Sequence, residues 1–323
     1  MNPNNYLNGA TTIYGQMPDW NPAEIIGKAP KALALSLYKK LITNSVWAEA
    51  RNIMGYNAPA NTPLMVSLGG QPYIDVRSSL NSFIPREVSS NISEKLINFW
   101  ISKLKNNPEL HDKIEFDLAI TSFRFDIKEK LLESGLKNLL SNAERNQFIS
   151  KHIQMTSALI KGDNKGSIDA ALEKVKVLEE KQKLFKDHTD PLNLITIIQD
   201  CINFGTRPFA ILARHAFIAK NLLFSLQAKS ILTSLDVNNI ISNVHTVASE
   251  LVIDIKNVLE SVITRDVFMD KYGHLRPGTY DITSLKYSEI DCFFRTSSEK
   301  SPEQMLNQSQ KSFSLSQKKH NQM

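Results

Sequence analysis

The stretch Leu64-Met65-Val66-Ser67-Leu68-Gly69-Gly70-Gln71-Pro72-Tyr73-Ile74-Asp75-Val76-Arg77 decides the fold class. Two short segments rich in apolar and β-forming residues flank a pair of glycines, and such a pair supplies the positive φ angles of a tight hairpin turn. We therefore predict a β-hairpin here. It makes an otherwise helical sequence an α+β one.

The second arm of the hairpin carries two charged residues on one face. In a strand, Tyr73, Asp75 and Arg77 share one side, whereas Ile74 and Val76 share the other. Asp75 and Arg77 have two interpretations, an ion pair across the exposed face or part of a substrate-binding surface. We favour the ion pair, because exposed pairs of this kind are common and mostly structural.

A third strand is predicted over residues 114–120, where apolar positions alternate with polar or small ones. The apolar positions are Ile114, Phe116, Leu118 and Ile120. Between the hairpin and this segment, the pattern from Ile92 to Leu104 predicts an amphipathic helix that Asn106-Asn107-Pro108 ends. The predicted sheet is small and antiparallel, within residues 63–122.

From Asp126 onward the pattern is helical. Ser141-Asn142-Ala143-Glu144 is a capping box that opens a helix to about residue 161, and Ser167 caps a strongly charged one. Asp190-Pro191 begins the next helix, and Gly205-Thr206-Arg207-Pro208 is predicted to divide it from a long apolar helix over 209–235. Asp236 is predicted to cap a last long helix to about residue 263. The fold class is thus α+β, predominantly α-helical, with a small antiparallel sheet near the N-terminal part and long helices after it.

Composition excludes several classes of function. The chain has 323 residues, 22% charged, and a net charge of +5 to which Lys318 and Lys319 of the tail contribute. The charge is not concentrated as a nucleic-acid partner requires. Two cysteines form no disulfide framework and suit no metal site. Without a signal-peptide pattern or a long apolar run, we expect no membrane partner and a cytoplasmic protein.

Three regions are predicted along the chain. Residues 1–20 are polar and turn-rich, and we interpret them as a linker. Residues 21–292 form one central domain. Residues 293–323 are dominated by Ser, Gln, Lys and Asn, a composition that predicts a disordered tail.

The loop Lys271-Tyr272-Gly273-His274-Leu275-Arg276-Pro277-Gly278-Thr279-Tyr280-Asp281-Ile282 is the strongest candidate site. Glycines and a proline hold a histidine, an arginine and a carboxylate close together there. The loop is either a turn in which His274 and Arg276 cap carbonyl groups, or an anion-binding site. In the second case His274 and Arg276 are catalytic candidates, and Asp281, Arg77 and Asp75 are candidates for substrate binding.

Familiar catalytic motifs are absent from the sequence. It contains no phosphate-binding Walker loop, no dinucleotide glycine fingerprint and no Gly-x-Ser-x-Gly elbow. No His, Cys or Glu cluster has the spacing of metal ligands, so we expect no metal site. His215 and His245 stand alone on predicted helices, and we interpret each as structural.

Four stretches, in this order, carry a resemblance to a known family. They are Met17-Pro18-Asp19-Trp20-Asn21-Pro22-Ala23-Glu24-Ile25-Ile26-Gly27, Gln71 to Phe83, Leu110 to Asp117, and the 271–282 loop with its Tyr-Gly-His-x-x-Pro-Gly-x-x-Asp pattern. Together they resemble the central region of phosphoenolpyruvate synthase-like proteins. That group belongs to the phosphoenolpyruvate-utilising phosphotransferases, which include rifampicin phosphotransferase. The resemblance covers roughly residues 12–292.

The resemblance implies ATP-dependent phosphoryl transfer through a phosphohistidine. In the family, an ATP-grasp module binds ATP and Mg²⁺, and a swivelling domain carries the phosphohistidine to an acceptor such as pyruvate. Neither module is visible in this sequence, so the chain itself is expected to bind no cofactor and to be inactive alone. Its implied partners are ATP-grasp and phosphohistidine-carrier modules and a small-molecule acceptor.

Three functional hypotheses follow. In the first, the chain is the central, acceptor-binding domain or a split-gene fragment of a phosphoenolpyruvate synthase-like phosphotransferase. In the second, it is a non-catalytic helical binding or assembly module, or a degenerate remnant. In the third, it is a free-standing binder of a phosphorylated or aromatic small molecule. Whether the chain belongs to an active enzyme is open on the sequence.

Overall fold

The computed structural model describes residues 7–16, 18–60, 62–133, 135–162, 165–185, 193–244, 246–276 and 285–290. The chain divides after Val237 into two compact units. The predicted tail over 293–323, the Asp190-Pro191 helix start and His245 lie outside the described residues. The fold is α+β and mostly helical, as predicted.

The predicted hairpin is confirmed, and a short N-terminal strand completes its sheet. The strands are β1 (Tyr14–Gly15), β2 (Met65–Leu68) and β3 (Gln71–Asp75). Their order is β1-β3-β2 and both pairings are antiparallel, with Met65 opposite Ile74 and Leu68 opposite Gln71. Gly69 and Gly70 join β2 to β3 with φ angles of 56° and 79°, which favour glycine at both turn positions.

The rest of the first unit, where it is described, is mostly helical. In chain order the helices are α1 (Pro22–Ile25), α2 (Ala32–Tyr38), α3 (Val46–Ile53), α4 (Val76–Asn81), α5 (Ser90–Asn106), α6 (Ile127–Glu133), α7 (Asn142–Lys161), α8 (Ile168–Phe185), α9 (Leu194–Asp200), α10 (Arg207–Ala228) and α11 (Ser234–Ser242), the last of which crosses the division after Val237. Three π-helical turns lie between them: π1 (Lys39–Thr43), π2 (Ile114–Leu118) and π3 (Cys201–Thr206). The predicted helix from Ile92 and the predicted capping box at Ser141 and Glu144 are both confirmed.

The predicted third strand was wrong, because residues 114–118 form π2. Ile114 and Leu118 are buried, and their spacing of four places them on one side of a helical turn. The sheet of the described residues has the order β1-β3-β2, and residues 114–118 form no part of it.

The second hairpin arm ends earlier than predicted. β3 stops at Asp75, and Val76 begins α4, so Arg77 lies on a helix rather than on the strand. Asp75 is the N-cap of α4: its Oδ1 accepts a hydrogen bond of 3.1 Å from the Ser78 N–H. A capping aspartate thus changed the backbone from strand to helix within the predicted strand.

The predicted division at Gly205–Pro208 was also wrong. The chain passes from α9 through π3 into α10 without a gap, and Pro208 is the second residue of α10. A π-turn bonds over five residues rather than four, which accommodates the proline ring within a continuous helical run. This run, Leu194–Ala228, is long and apolar enough to cross a membrane by length and composition alone, and 33% of its apolar window is buried in the fold.

The described residues of the first unit form a core with three parts. The largest includes Phe83, Trp100 and Phe148 of the α4–α5–α7 region. A second, with Trp47, Leu64 and Ile74, joins α3 to the sheet. A third, with Met54, Met155, Ala171, Ile211 and Ile218, packs α10 against α3, α7 and α8.

The second unit contains α12 (Val247–Leu259) and α13 (Arg265–Tyr272) around a small core of Leu251, Ile255, Phe268 and Tyr272. The predicted single helix from Asp236 to residue 263 was wrong, because α11 ends at Ser242 and Thr246 caps α12. Asp236 is not the cap of α11 either. Its N–H donates to Thr233 Oγ1 at 3.2 Å and its carboxylate accepts from the Thr233 N–H at 2.9 Å, which places Thr233 at the cap.

Candidate ligand-binding cleft

A cleft of about 320 Å³ in the first unit has a charged floor and aromatic walls. It lies between the segment that leads into α1, the π2 turn, α3 and α10. Its lining residues are Pro18, Asp19, Trp20, Asn21, Glu24, Ile25, Trp47, Arg51, Asp112, Ile114, Glu115, Phe116, Phe209, Ala210, Ala213, Arg214 and Phe217. The volume is within the range of small-molecule sites.

One charged pair of the floor joins α3 to the segment before α1. Arg51 donates from Nη1 to Asp19 Oδ2 at 2.8 Å and from Nη2 to Asp19 Oδ1 at 2.9 Å. The Ser79 hydroxyl also donates to Asp19 Oδ2, at 2.8 Å, and Arg51 donates to the Ser82 hydroxyl. This bidentate geometry fixes the guanidinium plane as well as its position.

The second charged pair joins α10 to π2. Arg214 donates from Nη1 to Glu115 and from Nη2 to Thr121 Oγ1, the latter at 3.0 Å. Its Nε is buried and has no hydrogen-bond partner in the described part of the chain. π2 therefore has a definite role in the cleft, because this turn presents Glu115 to Arg214.

Phe83 lies against both guanidiniums. Its ring centroid is 4.3 Å from the guanidinium carbon of Arg51 and 5.3 Å from that of Arg214. Aromatic faces attract cations, and they do so more strongly where water is excluded. The ring therefore helps to hold two like charges beneath one cleft.

Burial shifts the pKa values of two charged side chains in the floor of the cleft. Burial raises the pKa of Glu115, and the nearby Arg214 and Arg51 guanidiniums offset that effect only in part. Burial opposes the charge of Arg214, but the Glu115 carboxylate raises its pKa above the ordinary value. Glu115 is thus a better proton acceptor than an exposed glutamate, and Arg214 stays cationic.

The walls of the cleft are aromatic. Trp20 and Phe209 have ring centroids 6.2 Å apart, and Phe116 and Phe217 have theirs 5.5 Å apart. Lys220 Nζ lies 4.5 Å from the Phe116 centroid. Flat apolar surfaces above a floor of carboxylates and guanidiniums suit an organic molecule with an apolar body and a polar end.

The predicted substrate-binding residues Asp75 and Arg77 are not among the lining residues described for this cleft. They instead fasten the N-terminal segment to α4. Thr12 Oγ1 donates to Asp75 Oδ1 at 2.7 Å, and Arg77 Nη1 donates to the carbonyl of Gly9 at 2.9 Å. Part of the predicted linker thus packs against α4.

His274 and Arg276 belong to the second unit, whereas Asp75 and Arg77 belong to the first, and Asp281 lies outside the described residues. His274 is exposed and Arg276 half-buried. The backbone beside His274 is bonded at two points: Tyr287 N–H donates to the Leu275 carbonyl at 2.9 Å, and Ser288 N–H to the Gly273 carbonyl at 3.2 Å. The described portion of the predicted loop is therefore tied to residues 285–290.

His215 and His152 are both buried on helices of the first unit. His215 is buried on α10, and its Nε2 lies 2.7 Å from the Gly166 carbonyl, which joins α10 to the turn before α8. This contact agrees with a structural role. His152, which the sequence did not single out, is buried on α7 against Phe148 with ring centroids 4.4 Å apart.

Sequence reasoning missed the cleft residues Arg51, Arg214 and Glu115. Arg214 lies on α10 among mostly apolar neighbours, Arg51 lies on α3 two residues after Glu49, and Glu115 lies in the segment predicted as a strand. Asp19 was assigned to the linker. The one usable signal was an arginine within each of two apolar helical patterns, which requires a buried partner.

The described residues contain no group of three or more His, Cys, Asp or Glu side chains placed to hold a metal ion. Comparison with known proteins adds no relative: no family profile, no curated protein and no solved structure matches this chain. The function is therefore inferred from the cleft and from the sequence resemblance.

Proposed function

We propose that this chain is the central, acceptor-binding module of a phosphoenolpyruvate synthase-like phosphotransferase, and that the cleft above Arg51 and Arg214 holds the acceptor. The observation that carries the proposal is the pairing of two buried arginines with two carboxylates beneath aromatic walls. The four family-like stretches supply the reaction type. The phosphoryl group itself comes from ATP-grasp and phosphohistidine-carrier modules outside this sequence.

The charge of the floor defines the class of acceptor. Arg51 and Asp19 cancel, and so do Arg214 and Glu115, so the floor offers no strong net attraction for a dianion. It does offer hydrogen-bond acceptors beside cationic donors, which suits a neutral hydroxyl. The acceptor is therefore an apolar or aromatic compound that carries a hydroxyl group.

The chemistry of the cleft agrees with a hydroxyl acceptor. Glu115 has a raised pKa and can accept the proton that a hydroxyl loses when its oxygen attacks phosphorus. Arg214 can offset the negative charge that develops on the transferred group. His274 and Arg276 of the second unit stay separate candidates, from the sequence pattern, for contact with a phosphorylated group.

Binding can be tested through the tryptophans. Trp20 and Trp47 line the cleft, whereas Trp100 is fully buried in another core. In a Trp100→Phe background, we expect 4-nitrobenzyl alcohol to quench fluorescence saturably. Phe217→Ala should weaken that binding about tenfold, because it removes one aromatic wall. Phe125→Ala is the matched control, since Phe125 is 48% exposed and outside the cleft. Linear quenching, or equal loss in both variants, would overturn the assignment of the cleft.

Phosphoryl transfer requires a separate experiment with the full set of modules. The chain is mixed with ATP, Mg²⁺, an ATP-grasp module and a phosphohistidine-carrier module of a phosphoenolpyruvate synthase-like enzyme. We expect phosphorylated product from the mixture and none from the chain alone, and Arg276→Ala should slow transfer while leaving thermal unfolding unchanged. Ligand binding without any transfer would instead support the alternative, a non-catalytic binding module.

A further inference from the structure

A second cavity in the first unit has a different electrostatic character. Its volume is about 360 Å³, and it lies between the end of α3, the beginning of α8 and the junction of π3 with α10. Its described lining residues are Ile53, Lys165, Ala170, Ala171, Lys174, Asn203, Arg207, Pro208 and Ile211. Three of these are cationic, and none of the described ones is acidic.

The guanidinium of Arg207 is held by its two terminal nitrogens. Nη1 donates to Asn203 Oδ1 at 3.0 Å, and Nη2 is paired with Glu49. Its Nε is buried and has no hydrogen-bond partner among the residues described. A buried N–H without an acceptor is costly, and an anionic oxygen in the cavity would supply that acceptor.

Lys174 adds a second cation from α8. It makes no ion pair with the described residues, and its Nζ lies 5.7 Å from the Phe204 ring centroid. Lys165 adds a third cation from the turn before α8. These cations come from separate elements and converge on one cavity, which is how proteins surround an oxyanion with several free oxygens.

The remaining lining is apolar and limits the ligand further. Ile53, Ala170, Ala171, Pro208 and Ile211 form a surface that an inorganic ion would leave uncovered. A ligand that satisfies both parts has a multiply charged end and a compact apolar body. A phosphate monoester carries up to two negative charges for Lys165 and Lys174, and it has a further oxygen for the Nε–H of Arg207, whose own charge is matched by Glu49.

We propose that this cavity binds a small organic phosphate. The phosphoryl oxygens contact Lys165, Lys174 and the Nε of Arg207, and the organic part packs against Ile53 and Ile211. This site is separate from the arginine–carboxylate cleft, and it does not depend on the proposed function.

Phenyl phosphate is the probe, and the isoleucine methyl groups are the reporters. The full chain is labelled with ¹³C at Ile δ1 methyls and titrated, with inorganic phosphate and phenol in parallel. We expect saturable shifts of the Ile53 and Ile211 signals with phenyl phosphate and unchanged signals from Ile92 and Ile97 of the other core. Inorganic phosphate should bind about tenfold more weakly, because it leaves the apolar surface exposed. Phenol should not bind.

Two lysine variants on α8 distinguish binding in this cavity from a general attraction of the ligand to positive charge. Lys174→Gln should weaken phenyl phosphate binding about tenfold, since it removes one charge-assisted contact. Lys176→Gln is the matched control: it removes the same charge from α8, but Lys176 pairs with Glu173 and lies outside the cavity. It should change the affinity less than about twofold.

Three results would overturn the proposal. One is the absence of saturable shifts of the Ile53 and Ile211 signals at phenyl phosphate concentrations up to about 10 mM, which would mean that binding is weaker than a millimolar dissociation constant. Another is an equal effect of Lys174→Gln and Lys176→Gln, which would indicate attraction to the overall charge of α8. Binding of phenol as tight as that of phenyl phosphate would also exclude a phosphate site.

Discussion

Asp19 and Arg51 form a bidentate ion pair, in which the Asp19 side chain is 5% exposed and the Arg51 side chain 9%. They are 32 positions apart, so the pair fastens the segment before α1 to α3. Both side chains line the floor of the cleft, but Ser79, Ser82 and the Phe83 ring occupy much of the space around them, so little water reaches either charge.

We predict that Asp19→Asn lowers the free energy of unfolding by about 3–5 kcal/mol, because it leaves the Arg51 charge buried without compensation. Urea unfolding at neutral pH measures the loss. Asp117→Asn is the control, since Asp117 is exposed, and it should cost less than about 0.5 kcal/mol. In the double variant Asp19→Asn/Arg51→Met the loss should be smaller than the sum of the single losses. Additive losses would contradict the coupling.

His152 predicts a pH dependence of stability. Burial, together with the nearby Arg214 charge, lowers its pKa from 6.5 to about 3. The unfolded chain therefore binds this proton more tightly than the folded one, so the free energy of unfolding falls as pH decreases below 6.5. The contribution is complete above that pH and declines by about 1.4 kcal/mol per pH unit until the folded group titrates.

The measurement compares the wild-type chain with His152→Phe by urea unfolding at pH 7.5, 6 and 5. Both ring nitrogens of His152 lack partners within the described residues, so an aromatic replacement breaks no described hydrogen bond. We expect the variant to gain stability relative to wild type as the pH falls. His111→Gln removes an exposed histidine and should leave the wild-type slope unchanged. Parallel pH curves for wild type and His152→Phe would refute the prediction.

Gly273 is predicted to be intolerant of a side chain. A Cβ at this position would lie 2.3 Å from the Met269 carbonyl oxygen, and its backbone does not have a positive φ. Gly273→Ala should therefore destabilise the second unit by about 1–3 kcal/mol through overpacking.

Limited proteolysis with assignment of the cleavage sites measures this locally, with faster cuts expected within residues 246–276. Gly205→Ala is the control in the first unit, because its Cβ would meet two side-chain atoms, Leu178 Cδ2 at 3.3 Å and Cys201 Sγ at 3.9 Å, and no described backbone atom beyond its own helical turn within 4 Å. Equal protection of residues 246–276 in wild type and Gly273→Ala would show that the close contact relaxes at no cost.

Local chemistry made part of the fold predictable. The glycine pair at 69–70 required a tight turn, and Ser141 with Glu144 forms a capping box that specifies its own helix start. The strand predicted at residues 114–120 failed for a nonlocal reason. Whether a segment joins a sheet depends on partners far away in the sequence: Tyr14 and Asp75, which pair where β1 meets β3, are 61 positions apart, and residues 114–118 pair with none of the described strands.

The cleft could not be predicted from the sequence pattern for a similar reason. Arg214 meets Glu115 across 99 positions, and no periodicity relates two such residues. The sequence emphasised the 271–282 loop instead, because glycines, a proline and charges concentrated in a short segment are visible locally. Buried charges on helices become recognisable only when the partners of their side chains are known.

The π3 turn sets the angular position of α10. This helix contributes Arg214 and Phe217 to the cleft, and Pro208 and Ile211 to the second cavity. Each residue of an α-helix advances the side chains by about 100°, so removing one residue from 201–206 would turn every later side chain of α10 by that angle. Arg214 would leave the cleft and Ile211 the other cavity in the same event. The π3 turn thus determines the rotation of α10 about its own axis, and both cavities depend on that rotation.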